Sequence, residues 1–96
     1  MNISNIIKSG KGKIVDVRSV GEFASGHIQG SLNIPLDQVS ERLEEFKALE
    51  EPILAVCASG NRSGMAAMML QREGIECFNA GGWSQLEYQL SMLKAS

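Results

Sequence analysis

The residues best suited to chemistry lie in one short run, Cys57-Ala58-Ser59-Gly60-Asn61-Arg62-Ser63. Cys57 follows an unbroken apolar stretch, Ile53-Leu54-Ala55-Val56, that reads as a strand buried on both faces. A helix is predicted from about Arg62 to Glu73, ended by Gly74. A strand thus delivers a thiol to a tight loop, and a helix begins directly after it. Gly60 permits a positive φ, while the small residues Ala58 and Ser59 let backbone N–H groups turn inward. The unpaired N–H groups of the helix start point the same way, backed by the helix dipole. Ser59, Asn61 and Ser63 add side-chain hydrogen-bonding groups, and Arg62 adds a permanent positive charge if its side chain turns toward the loop. Such a nest favours thiolate over thiol and makes Cys57 the candidate nucleophile. It would equally hold the outer sulfur of a persulfide or the oxygens of a sulfur oxyanion. The competing reading is an inert, buried strand-end cysteine. Strand, thiol, small-residue loop, arginine and helix in that order favour the reactive one.

Other reactive side chains point elsewhere. His27, the only histidine, is the natural suspect for a general base, yet a lowered thiolate pKa needs none, so it reads as structural. Asp16 and Arg18 end the first clear strand; they are read as a strand-end ion pair or a helix cap with Glu22, ahead of a role in orienting the loop. Cys77, between Glu76 and Phe78, reads as a packed strand residue rather than a resolving thiol. Two isolated thiols and a distant histidine lack the spacing of a zinc site, so no metal is expected. Met65, Met68 and Met69 read as core filler of the helix after the loop.

The elements that must position Cys57 follow from periodicity and punctuation. Ser4 is expected to cap a helix over Asn5 to Ser9, closed by Gly10. Lys13-Ile14-Val15-Asp16-Val17-Arg18 reads as a strand, and Ser19 as the cap of a helix from Val20 to Ser25 with Glu22 in its first turn. Ser31 to Ile34 is a second strand, halted by Pro35. Leu36, Val39, Leu43, Phe46 and Leu49 recur at helical spacing, which predicts one amphipathic helix over Leu36 to Leu49 with the acidic stretch Glu41 to Glu51 as its wetted side. Ile75 to Asn79 is a further strand, Gly81-Gly82 a turn, and Trp83, Leu86, Leu90 and Leu93 mark a last helix. Helix and strand alternate throughout, which implies a parallel sheet covered on both faces, with ligands beyond the strands' carboxyl ends.

Composition bounds the function. The chain of 96 residues is expected to form one domain, residues 1–96, with a single modest core. A net charge of -2 offers no basic field, so nucleic acid is not an expected partner. No apolar run approaches the length of a membrane span, and the first ten residues do not resemble a secretory signal, so no membrane partner and a cytoplasmic location are expected.

Taken together, the segments resemble the single-domain rhodanese-like sulfurtransferases over nearly the whole chain. The resemblance rests on Val15-Asp16-Val17-Arg18 followed by Glu22-Phe23, then Gly26-His27-Ile28-Gln29-Gly30-Ser31-Leu32-Asn33-Ile34-Pro35, then Cys57 to Ser63, then Gly81-Gly82. It implies an α/β domain around a small, mainly parallel sheet of four to five strands, with helices on both faces. It also implies that Cys57 takes sulfane sulfur from a small sulfur-containing anion such as thiosulfate and passes it to cyanide, a thiol or a protein acceptor. The carrier is a Cys57 persulfide, in a ping-pong cycle that needs no cofactor. Ala58, Ser59, Gly60, Asn61, Arg62 and Ser63 would bind the substrate. A sulfur-relay or regulatory module acting on a protein partner shares these features. Fold-related cysteine phosphatases and arsenate reductases are the third alternative. Phosphatase loops hold one residue more between Cys and Arg; the four residues Ala58 to Asn61 look matched to sulfur rather than phosphate. Two departures concern packing: the family's initial edge strand has only Met1 to Ile3 to form from, and Trp83 directly follows Gly82 while Leu86 takes a position often aromatic.

Overall fold

A computed structural model describes residues 3–95. Helix α1 (Ile3–Ser9) leads to strand β1 (Lys13–Asp16), helix α2 (Val20–Ser25) and the short strand β2 (Leu32–Asn33). A single 3-10 turn (Leu36–Gln38) and α3 (Leu43–Lys47) precede β3 (Ile53–Cys57), α4 (Asn61–Arg72), β4 (Cys77–Gly82) and α5 (Trp83–Ala95). The strands form a four-stranded sheet in the order β2-β1-β3-β4, with every pairing parallel. Chain order reverses between β1 and β3, so the crevice for ligands falls at their carboxyl ends.

Burial explains why β3 lies inside. All five of its residues are buried, and alternate side chains serve opposite layers. Ile53, Ala55 and Cys57 pack with Phe46, Ala66, Ala67 and Leu70 from α3 and α4. Val56 faces the other way, onto Ile28 and Leu86, with Ile7, Ile14, Trp83 and Leu90 around them. Helices therefore cover both faces, as the alternation of elements predicts.

Several boundaries differ from expectation. Helix α1 already includes Ile3, which puts Ser4 inside the helix rather than at its cap. Strand β1 stops at Asp16, because the Asp16 carboxylate turns back onto Arg18. The stretch from Leu36 to Leu49 is not one helix. Arg42 adopts φ -117° and ψ 30°, which separates the 3-10 turn from α3. Val39 and Phe46 are still buried, because successive turns preserve the three-to-four spacing without a continuous helix. Gly81-Gly82 is not a turn but the end of β4. The register shifts there, with Asn79 opposite Ala55 but Gly81 opposite Val56, and Gly81 takes φ +83°. This bulge carries the strand along the loop after Cys57. Met65 and Met68 are exposed rather than core filler; the inner face of α4 is Ser63, Ala66, Ala67 and Leu70, and only Met69 among the three packs against the core. The initial edge strand of the family would fall largely on Met1 and Asn2, outside the described residues, while Ile3 is helical.

Candidate active site

Cys57 ends β3 and is 1 % exposed. Its Sγ accepts the Gly60 N–H at 3.0 Å and the Ser63 N–H at 3.4 Å, and lies 3.4 Å from Ser63 Oγ. Gly60 makes this possible with φ +100°, a left-handed conformation that turns its amide back toward the sulfur. Gly60 is also the residue before α4 and has no side chain to cap it. The sulfur does that instead: it takes the N–H of the third helical residue, where a Ser or Asp cap would normally accept. Negative charge on Sγ is therefore favoured by both the amides and the helix dipole. Burial pushes the Cys57 thiol up, but the Ser63 hydroxyl and the N–H groups of Ser63, Ser59 and Gly60 outweigh it, and the pKa is lowered overall.

Arg62 behaves differently from the loop amides. Its guanidinium does not turn to the sulfur but grips Glu22 with two bonds, Nη1 to Oε1 at 2.7 Å and Nη2 to Oε2 at 3.0 Å. Glu22 meanwhile completes the capping box of α2, accepting from the Ser19 N–H at 3.1 Å. The Arg62 bonds, with the Ser19 contacts behind them, hold the Glu22 carboxyl at about 2. Arg62 thus joins the loop to α2 and carries little uncompensated charge. Among the other loop residues, Ala58, Ser59 and Asn61 are exposed above the sulfur, and Ser63 is buried beside it.

One residue of the site has no counterpart in the sequence reading. Asn79 of β4 donates from Nδ2 to the Gly60 carbonyl at 3.0 Å. Its Oδ1 accepts the Ser63 hydroxyl at 2.6 Å and the Gly81 N–H at 3.0 Å. A single amide thereby braces both the turn at Gly60 and the hydroxyl beside the thiol. Only the pairing of β3 with β4 brings it there, and nothing in its local sequence marks it.

Asp16 and Arg18 form a buried pair, Nη2 to Oδ2 at 2.7 Å, with further Nε bonds at 3.0 Å. Arg18 also donates to the Gly26 carbonyl at 2.7 Å, and its guanidinium sits 4.6 Å from the Trp83 ring centroid. The pair ties β1, the end of α2 and the start of α5, and Trp83 serves as its platform; this is the structural role favoured from sequence. His27 stacks on Phe23 at 3.7 Å and bonds the Phe23 carbonyl through Nδ1 at 2.7 Å, on the exterior. Cys77 is opposite Ile53, at the far end of the strand from Cys57, and burial pushes its thiol up to about 12. Among the described residues, no group of three or more His, Cys, Asp or Glu could hold a metal ion, and no helix is long and apolar enough to cross a membrane.

A parallel α/β sheet with a strand-end thiol seated in an amide nest defines a narrow class of domain. The chain belongs to the rhodanese-like domain family, whose model matches residues 2–88. It is 40% identical over 73 residues to the uncharacterized protein YqhL of Bacillus subtilis, covering 75% of this chain and 57% of that protein. To the thiosulfate sulfurtransferase PspE of Escherichia coli it is 34% identical over 70 residues, covering 71% and 67%. Among solved structures, a rhodanese-like domain protein from Staphylococcus aureus superposes with a TM-score of 0.74 at 33% identity, covering 88% of this chain and 83% of that one. The chain thus spans little more than half of YqhL.

Proposed function

We propose that the protein is a sulfurtransferase that carries sulfane sulfur on Cys57. The observation that supports this most directly is the sulfur itself, which receives the Gly60 and Ser63 N–H groups at the head of α4. In the first half-reaction the Cys57 thiolate attacks the terminal sulfur of the donor. A new S–S bond forms as the donor's own bond to that sulfur breaks, releasing sulfite from thiosulfate or a thiolate from an organic persulfide. In the second, an acceptor such as cyanide, a thiol or a protein thiol attacks the outer sulfur, and Cys57 leaves as a thiolate. In this reading the unpaired N–H groups of Asn61 and Arg62, at the start of α4, would hold the anionic outer sulfur between the two steps. Ala58 and Ser59, whose small side chains are exposed, leave the loop uncrowded for a donor. Loop residues Ala58 to Ser63 are thus the proposed substrate site, although the Arg62 side chain contributes through Glu22 rather than by direct charge.

The engagement of Arg62 also weighs against a phosphatase, because Glu22 holds both of its Nη groups and largely neutralises the charge a phosphate dianion would need. Incubation with thiosulfate or an organic persulfide, followed by intact mass spectrometry, should add one sulfur to the protein and none to Cys57→Ser. Failure of every sulfane donor to load Cys57 refutes the reading. Loading followed by transfer only to a protein thiol, with no turnover to cyanide or small thiols, identifies a relay instead.

A further inference from the structure

A cleft of about 460 Å³ opens beside the active loop, with Arg62 in its wall. Its floor is Val17, whose N–H bonds the Val56 carbonyl at 2.9 Å, one residue before the nucleophile. The Leu36 N–H bonds the Val17 carbonyl at 3.0 Å, which places the segment after β2 along the other side. The cleft therefore occupies the carboxyl edge of the sheet where strand order reverses between β1 and β3, the position at which open α/β sheets bind ligands. Its walls are largely apolar, from Val17, Val20, Pro35 and Leu36, and Val20 is exposed for its size.

Charge is what gives this cleft a chemical preference. The guanidiniums around it are each matched: Arg62 by Glu22, Arg18 by Asp16, and Arg42 by Glu45. Asp37, which lines the cleft at the 3-10 turn, has no ion-pair or hydrogen-bond partner among the described residues. The uncompensated charge at the cleft is thus a carboxylate. A dianionic oxyanion approaching through it meets repulsion, whereas a carbon chain ending in an ammonium meets methyl groups and then an opposite charge.

We propose that this cleft is the subsite for the organic part of a small thiol or persulfide bearing a cationic amine, with the ammonium at Asp37 and the sulfur at Cys57. The proposal rests on the sulfur-transfer reading and names its substrate class. In loading, Cys57 thiolate attacks the outer sulfur of an aminoalkyl persulfide, the inner S–S bond breaks, and the aminoalkyl thiolate leaves and takes a proton from water. In unloading, the same subsite seats an aminoalkyl thiol that, as its thiolate, accepts the sulfur. Sulfane sulfur moves between thiolates, and no external oxidant or reductant is involved.

The test uses single-turnover loading of Cys57, followed by mass spectrometry, with cysteamine persulfide, 3-mercaptopropionate persulfide and thiosulfate. Each rate is divided by that donor's rate with a free small thiolate, which removes intrinsic reactivity. The wild-type protein should prefer the cationic persulfide over the anionic one by about tenfold, equivalent to about 1.4 kcal/mol. That ratio should fall toward one in Asp37→Asn and invert in Asp37→Lys, where thiosulfate loading should also rise. Asp37 is exposed, so neither substitution disturbs packing. A wild-type ratio near one, or a preference that survives Asp37→Asn, overturns the subsite while leaving sulfur transfer intact. No loading from any of the three donors overturns sulfur transfer itself.

Discussion

Replacing Ser63 by alanine should weaken the thiolate in a way that a pH profile can read. The Ser63 hydroxyl has one proton and two claimants, Asn79 Oδ1 at 2.6 Å and Cys57 Sγ at 3.4 Å. With Cys57 as a thiol, S–H donates to the hydroxyl and the hydroxyl donates to Asn79. With Cys57 as a thiolate, the hydroxyl must turn to sulfur, and Asn79 Oδ1 keeps the Gly81 N–H. A hydrogen bond to a charged group contributes about 1.5–3 kcal/mol, and relinquishing the neutral bond to Asn79 costs about 1 kcal/mol. The net support for the thiolate is therefore about 1.4 kcal/mol, a factor of roughly ten in the ionised fraction below the pKa. The more basic thiolate of the variant is also about threefold more nucleophilic, for a Brønsted slope of about 0.4–0.5. Loading of Ser63→Ala should thus be about threefold slower on the rising acid limb of the profile yet about threefold faster on the alkaline plateau. The assay is single-turnover persulfide formation across the pH range. A rate reduced by the same factor at every pH, or an unshifted profile, would refute the proton-sharing argument. The amides of Gly60 and of residue 63 remain in the variant, so the nucleophile is weakened rather than lost.

Two further outcomes test the electrostatics. Glu22 has its carboxyl lowered from the ordinary 4.5 to about 2, so the stability it contributes is complete above about 4.5 and is lost as pH falls toward about 2. Thermal unfolding of Glu22→Gln should accordingly lie closer to wild type at the acid end of that window than near neutrality; a constant difference across it would exclude the Arg62 pair as the cause. Iodoacetamide at mildly alkaline pH should modify Cys57 well before Cys77, because burial holds the Cys77 thiol at about 12. Peptide mapping that finds both thiols labelled at equal rates would contradict the two environments.

The features legible in the sequence were those written in neighbouring residues. A buried strand ending in Cys57, a glycine able to turn the loop and a helix after it all follow from side-chain size and periodicity within a few residues. So does the capping box of Ser19 and Glu22, which spans three positions. The seat of Cys57 between β3 and α4 was therefore readable from sequence. Spacing alone could not separate one helix from a 3-10 turn followed by a short helix between Leu36 and Leu49, since both bury the same side chains.

The partners of those residues lay beyond sequence reach. Arg62 meets Glu22 across 40 positions, and the direction of its side chain depends on how α2 and α4 seat at the same sheet edge. Asn79 reaches Ser63 and Gly60 only because β4 pairs beside β3 and bulges near Gly81. Such contacts join elements whose relative placement depends on which helices cover each face of β3, and no local pattern encodes that choice. The sequence thus specified a strand-end thiol and the turn that holds it, while packing of the whole sheet determined which groups surround the sulfur and which charge is left facing the cleft.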